Sequence, residues 1–84
     1  MNIILSKHAK EQMQLRNIAE EIVWKMLSGT KPYASENNLS VYHGLISENS
    51  KSYLIRIFVN ENVSPNLVVT VYKTSKINKY ESKI

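Results

Sequence analysis

The hydrophobic pattern of this chain changes period near Pro32, which confines it to folds in which helices come first and strands follow. Before that point the apolar residues recur at helical spacing. Ser6 supplies a hydroxyl N-cap for a first helix reaching about Leu15, with Ala9, Met13 and Arg16 near one stripe and His8, Gln12 and Leu15 on the next. Asn17 reads as a second N-cap, with Glu20 in the capping-box position and Glu21 beside it favouring the positive end of the helix dipole. A second helix is therefore expected from Ile18, with Ile22, Val23, Met26 and Leu27 as its apolar face and Gly29 as its terminator. Trp24 lies off that face and is expected to shield the edge of the core.

From about Lys31 the alternation has a period of two, giving strands at roughly Lys31 to Ser35, Leu39 to Ser47, Ser52 to Asn60 and Leu67 to Thr74. The separators "ENN", "ENSK" and "ENVSPN" are turn-forming clusters of the kind that join antiparallel neighbours. The expected fold is α+β, with two N-terminal helices packed on one face of a four-stranded antiparallel sheet. With 84 residues, 43% of them hydrophobic, the chain suffices for a single domain, 1–84.

Composition narrows the chemistry. There is no cysteine, which excludes a disulfide framework or a thiolate zinc site and fits a reducing cytoplasm. The first apolar run, Ile3 to Leu5, meets Lys7 too soon for a signal peptide or a membrane span, so a cytoplasmic location and no membrane partner are expected. Eleven Lys and Arg against seven acidic residues, none of them Asp, give a net charge of +4. Such a surface favours polyanions, so nucleic acid or an acidic protein is the expected partner. Without Asp, Cys, paired His or clustered carboxylates, neither a metal nor a cofactor is expected. The two glycines are too few for a phosphate-cradling loop.

Alternation along "YLIRIFVN" sends Tyr53, Ile55, Ile57 and Val59 one way and Leu54, Arg56 and Phe58 the other. In "LVVTVYK" the sets are Leu67, Val69 and Val71 against Val68, Thr70 and Tyr72. The aliphatic sets belong under the helices, leaving Arg56, Thr70 and Tyr72 on an open sheet face, joined by either Tyr42 or His43. The segment "YKTSKINKY" adds Lys73, Lys76 and Lys79 with Tyr72 and Tyr80 interleaved, a pattern suited to single-stranded nucleic acid because ammonium groups meet phosphates while rings stack on bases.

The order of these features resembles a known group: "HA" opening a helix, Arg16 and Ile18 before a second helix with an acidic start, and a sheet ending in "LVVTVYKTSKINKY". It is similar to small bacterial domains of unknown function grouped by fold with RelE-type toxins and barnase-like, EndoU-like and colicin-like ribonucleases. The likeness spans His8 to Tyr80. It departs from the group at Asn17, commonly glycine, and at Ala19, more often a capping Ser or Thr. The resemblance implies a metal-independent endoribonuclease, often the toxin of a type II toxin–antitoxin pair. It also implies RNA, free or ribosome-associated, as substrate, and an acidic antitoxin encoded nearby as partner.

The residues themselves are compatible with that chemistry. Cleavage by the 2′-hydroxyl needs a base, an acid and cations around the phosphate. His8 exchanges protons near neutral pH, Arg56 and Lys76 are candidate phosphate clamps, and Thr70 can donate to a phosphate oxygen. Tyr72 and Tyr80 are candidates for stacking a base or assisting proton transfer, and Lys73, Lys79 and Arg16 for phosphate contacts. Arg16 lies roughly 12 Å along an ideal helix from His8, so it would meet a different phosphate, unless it is buried against Glu20 or Glu21. His43 is either a second proton-transfer group or a packing residue. The rival reading is a catalytically inactive RNA- or protein-binding module of the same fold. A third is a plain interaction protein presenting its helices and Trp24.

Overall fold

The chain opens with a strand, not a helix. In a computed structural model that describes residues 2–77 and 79, Ile3–Leu5 forms β1 and Lys7–Leu15 forms α1, joined through Ser6. The Ser6 hydroxyl accepts from the Ala9 N–H at 2.9 Å and donates to the Val69 carbonyl at 3.0 Å. Its own N–H donates to the Val68 carbonyl at 3.0 Å. One side chain thus caps the helix and ties it to a strand sixty residues later in the chain, since a hydroxyl donates and accepts at once.

Asn17 does not cap the second helix; it closes the first. Its φ is 54°, its N–H reaches the Gln14 carbonyl at 3.2 Å, and the Ile18 N–H reaches Met13 at 2.8 Å. This is the paired hydrogen-bond arrangement of a Schellman motif, with Met13 and Ile18 buried together beneath it. Asn is suited to both helix ends, and the apolar Ile18 decides between them because only the Schellman turn carries it into the core. The second helix, α2, therefore starts later, at Glu20–Gly29, behind Ala19, which makes no side-chain cap. Gly29 remains helical, and Thr30 ends the helix by directing its N–H (3.1 Å) and hydroxyl (2.6 Å) to the Met26 carbonyl. Because a non-glycine residue at positive φ costs roughly 1–2 kcal/mol, Asn17→Gly should stabilise the fold and Asn17→Ala lower it by about 1 kcal/mol. Urea unfolding at unchanged m-value checks both.

Ala34–Glu36 (β2), Leu39–Glu48 (β3), Lys51–Asn60 (β4) and Asn66–Thr74 (β5) complete a five-stranded mixed sheet in the order β1-β5-β4-β3-β2. The expected four-stranded antiparallel sheet is corrected by β1, which pairs parallel with β5 from Ile3↔Asn66 to Leu5↔Val68. Three residues are too few to show an alternation. The hairpins after β2 and β3 are two-residue turns, Asn37–Asn38 and Asn49–Ser50, with both central residues at positive φ as a type I′ turn requires.

Ala9, Met13, Ile18, Val23, Met26 and Leu27 pack on Tyr42, Ile55, Ile57, Val59, Val68 and Val71. Val68 replaces the expected Val69 under the helices because β5 slips past β4 between Phe58↔Thr70 and Val59↔Val68. Gly44 lies beneath Met26: a Cβ there would come within 2.7 Å of the Met26 methyl, so the missing side chain is what lets α2 seat its thioether on β3. Among the described residues no helix is long and apolar enough to cross a membrane.

Candidate functional site

The row of cross-strand partners His43, Arg56 and Tyr72 crosses the three central strands. Their neighbours Ile55, Ile57 and Val71 face the helices, so by strand alternation this row occupies the opposite face. Arg56 is 7% exposed, not the open-face cation expected. Its Nε donates to His43 Nε2 at 2.8 Å, its Nη2 lies 2.6 Å from a Glu36 carboxylate oxygen, and its guanidinium carbon sits 5.1 Å from the Phe58 ring centroid and 5.8 Å from that of Tyr72. A delocalised, weakly hydrated guanidinium tolerates such a site because acceptors and aromatic faces replace its water.

His43 is held in turn by Tyr33, whose ring stacks on it at 4.2 Å and 16°. Accepting from Arg56 at Nε2 leaves the imidazole proton on Nδ1. Burial first, and the Arg56 charge second, push its pKa below the ordinary 6.5, with Glu36 opposing. The residue is therefore a neutral acceptor that aims the guanidinium, closer to the packing alternative than to proton transfer. Since its folded value lies below the unfolded 6.5, the unfolded chain binds the proton first on acidification. This contribution to stability is complete above pH 6.5 and is lost as pH falls from there through the folded value. Thermal unfolding of wild type and His43→Gln between neutral and mildly acidic pH should show a steeper acid loss in wild type.

Arg16 reaches the same site from the end of α1. It is exposed, its Nε donates to Gln12 at 3.2 Å, and its guanidinium lies over the Tyr72 ring at 5.5 Å, so it is not buried against Glu20 or Glu21. Glu20 instead accepts from the Trp24 indole at 3.0 Å, and Trp24 packs against the core edge as expected. Two guanidinium groups thus share one tyrosine ring. Thr70 stands on the same face, opposite Phe58 and half-buried.

The remaining sequence candidates fall elsewhere. His8 is exposed in the first turn of α1, one turn before Gln12, whose side chain accepts from the C-cap residue Arg16. Lys73 lies opposite Ile55 and so points to the helix side, where it pairs with Glu48 at 2.9 Å and lies 5.1 Å from the Tyr53 ring centroid. Strand alternation separates it from its neighbour Tyr72, correcting the expected contiguous basic stripe. Lys76 and Lys79 are exposed after β5, with the Lys76 N–H bonded to the Thr74 hydroxyl at 3.0 Å. Tyr80 lies outside the described residues. Glu36 and Tyr33 belong to the site although nothing in their local sequence marks them.

On the helix side, Tyr42 donates to Glu61 at 3.0 Å, and burial together with that carboxylate pushes its phenol pKa up. Among the described residues, no three His, Asp or Glu side chains converge as a metal site would require. No family model, curated protein or solved structure matches this chain.

Proposed function

We propose that this chain is an RNA-binding domain of RelE/barnase-like fold that cleaves its substrate without a metal, as the toxin of a type II toxin–antitoxin pair. The observation that supports this most is the pairing of Arg16 and Arg56 on the Tyr72 ring. Two guanidinium groups beside one aromatic ring suit two consecutive phosphates and the base between them. In this reading Arg56, aimed by His43, takes a phosphate oxygen, Thr70 donates a hydroxyl bond, and Arg16 meets the neighbouring phosphate. His8, about two turns before Arg16, exchanges the proton, while Lys76 and Lys79 extend the contact along the RNA. Lys73 takes no part. The location is the cytoplasm, and the natural inhibitor is an acidic protein encoded nearby that covers the same face.

A second reading, a binding module without catalysis, is favoured by the His43–Arg56 bond, which occupies the Nε2 lone pair and so removes His43 as a base. Both readings require phosphate contacts. Affinity for a short single-stranded RNA should fall with salt at a log–log slope of roughly −0.7 per contact, hence about −1.4 if Arg16 and Arg56 both engage. Arg16→Ala should flatten the slope by about one contact with little change in stability, because Arg16 is exposed. An affinity indifferent to salt would contradict phosphate recognition.

A further inference from the structure

We infer that Glu36 occupies the position on Arg56 that an RNA phosphodiester takes on binding, so that its carboxylate is the ligand's internal competitor and holds down the affinity. The inference rests on the RNA reading above and concerns how that site is kept closed.

Three observations converge on it. The Arg56 side chain is 8% exposed and that of Glu36 is 44% exposed, so solvent reaches the ion pair from the carboxylate's side. The guanidinium itself is fixed, with Nε bonded to His43 and its face against Phe58 and Tyr72. A ligand must therefore come to Arg56, and the accessible approach is the one Glu36 fills. Lastly, Glu36 ends β2, a three-residue strand that, among the described residues, pairs with β3 alone at the margin of the sheet. A half-exposed carboxylate there swings into water at little cost, because ion pairs with solvent access are worth about 0–1 kcal/mol.

Chemistry makes the exchange a matched one. Carboxylate and phosphodiester each bring one negative charge and two oxygens to the same guanidinium donors. The displaced Glu36 stays tethered beside the bound phosphate, where like charges repel. Neutralising it should remove both the competition and the repulsion.

The test compares Glu36→Gln with Glu21→Gln, which makes the same charge change on the exposed surface of α2. Fluorescence anisotropy with a labelled single-stranded RNA should show Glu36→Gln binding about tenfold more tightly than wild type. Its salt slope should stay near the wild-type value of about −1.4, because the same phosphates are contacted in both, so the gain appears as tighter binding at every salt concentration. Glu21→Gln should differ from wild type by less than about threefold, the general effect of one distant charge. Inorganic phosphate should compete against RNA more effectively in Glu36→Gln than in wild type. Equal gains in the two variants, with wild type binding RNA, would overturn the inference and leave the RNA reading intact. No RNA binding by wild type or either variant would overturn both.

Discussion

Arg56→Ala is expected to destabilise the protein by about 3 kcal/mol, because it removes a buried, charge-assisted bond to His43 worth roughly 1–3 kcal/mol and the solvent-accessible pair with Glu36 worth about 0–1 kcal/mol. For a domain of this size that corresponds to a Tm lower by roughly 12–24 °C, readable by circular dichroism. The loss exceeds that of an exposed arginine because the Phe58 and Tyr72 rings also lose a packed partner. Glu36 limits the damage, since it is exposed enough to hydrate once alone. Arg56→Lys should recover only part of the stability: an ammonium cannot hold His43 and Glu36 from one planar fork. A Tm for Arg56→Ala within about 2 °C of wild type would contradict the anchoring role assigned to this side chain.

His8→Ala is expected to have the opposite profile: unchanged stability and a cleavage rate lower by about 10²–10⁴-fold, the usual contribution of a positioned acid or base. The side chain is exposed, and Gln12, one turn on, is bonded to Arg16 rather than to His8, so truncation leaves the helix intact. Single-turnover cleavage with matched folded protein separates rate from binding, and affinity for uncleaved RNA should stay within about twofold of wild type. If His8→Ala cleaves as fast as wild type, proton transfer belongs to another group, and Tyr72, beside both Arg16 and Arg56, is the next to test.

Much of the fold was legible because its signals are local. The type I′ turns at Asn37–Asn38 and Asn49–Ser50 are flanked by alternating residues, and the helical stripe of α1 is plain. The β1 strand was not legible, since three apolar residues gain their structure from the edge of β5, a contact sixty residues away. Asn17 was misassigned because the same side chain suits both ends of a helix. The site was readable in part: once Asn49–Ser50 is taken as a two-residue turn, counting outward places His43 opposite Arg56. What counting could not reveal is burial. Arg56 looked like a solvent-facing cation because partners that enclose it, Glu36 and Tyr72, come from β2 and β5, and the Tyr33 ring that backs His43 comes from the segment before β2. The slip between β4 and β5 likewise hid the exchange of Val69 for Val68 in the core.

The most direct measurement of the central claim is incubation of purified protein with a labelled single-stranded RNA in EDTA, with the ends of any fragments identified. The expected result is cleavage by wild type yielding 2′,3′-cyclic phosphate ends, the product of attack by the neighbouring hydroxyl, with cleavage lost in His8→Ala and Arg16→Ala weakened through binding. RNA that wild-type protein neither binds nor cuts, under conditions where the protein is folded, would contradict it.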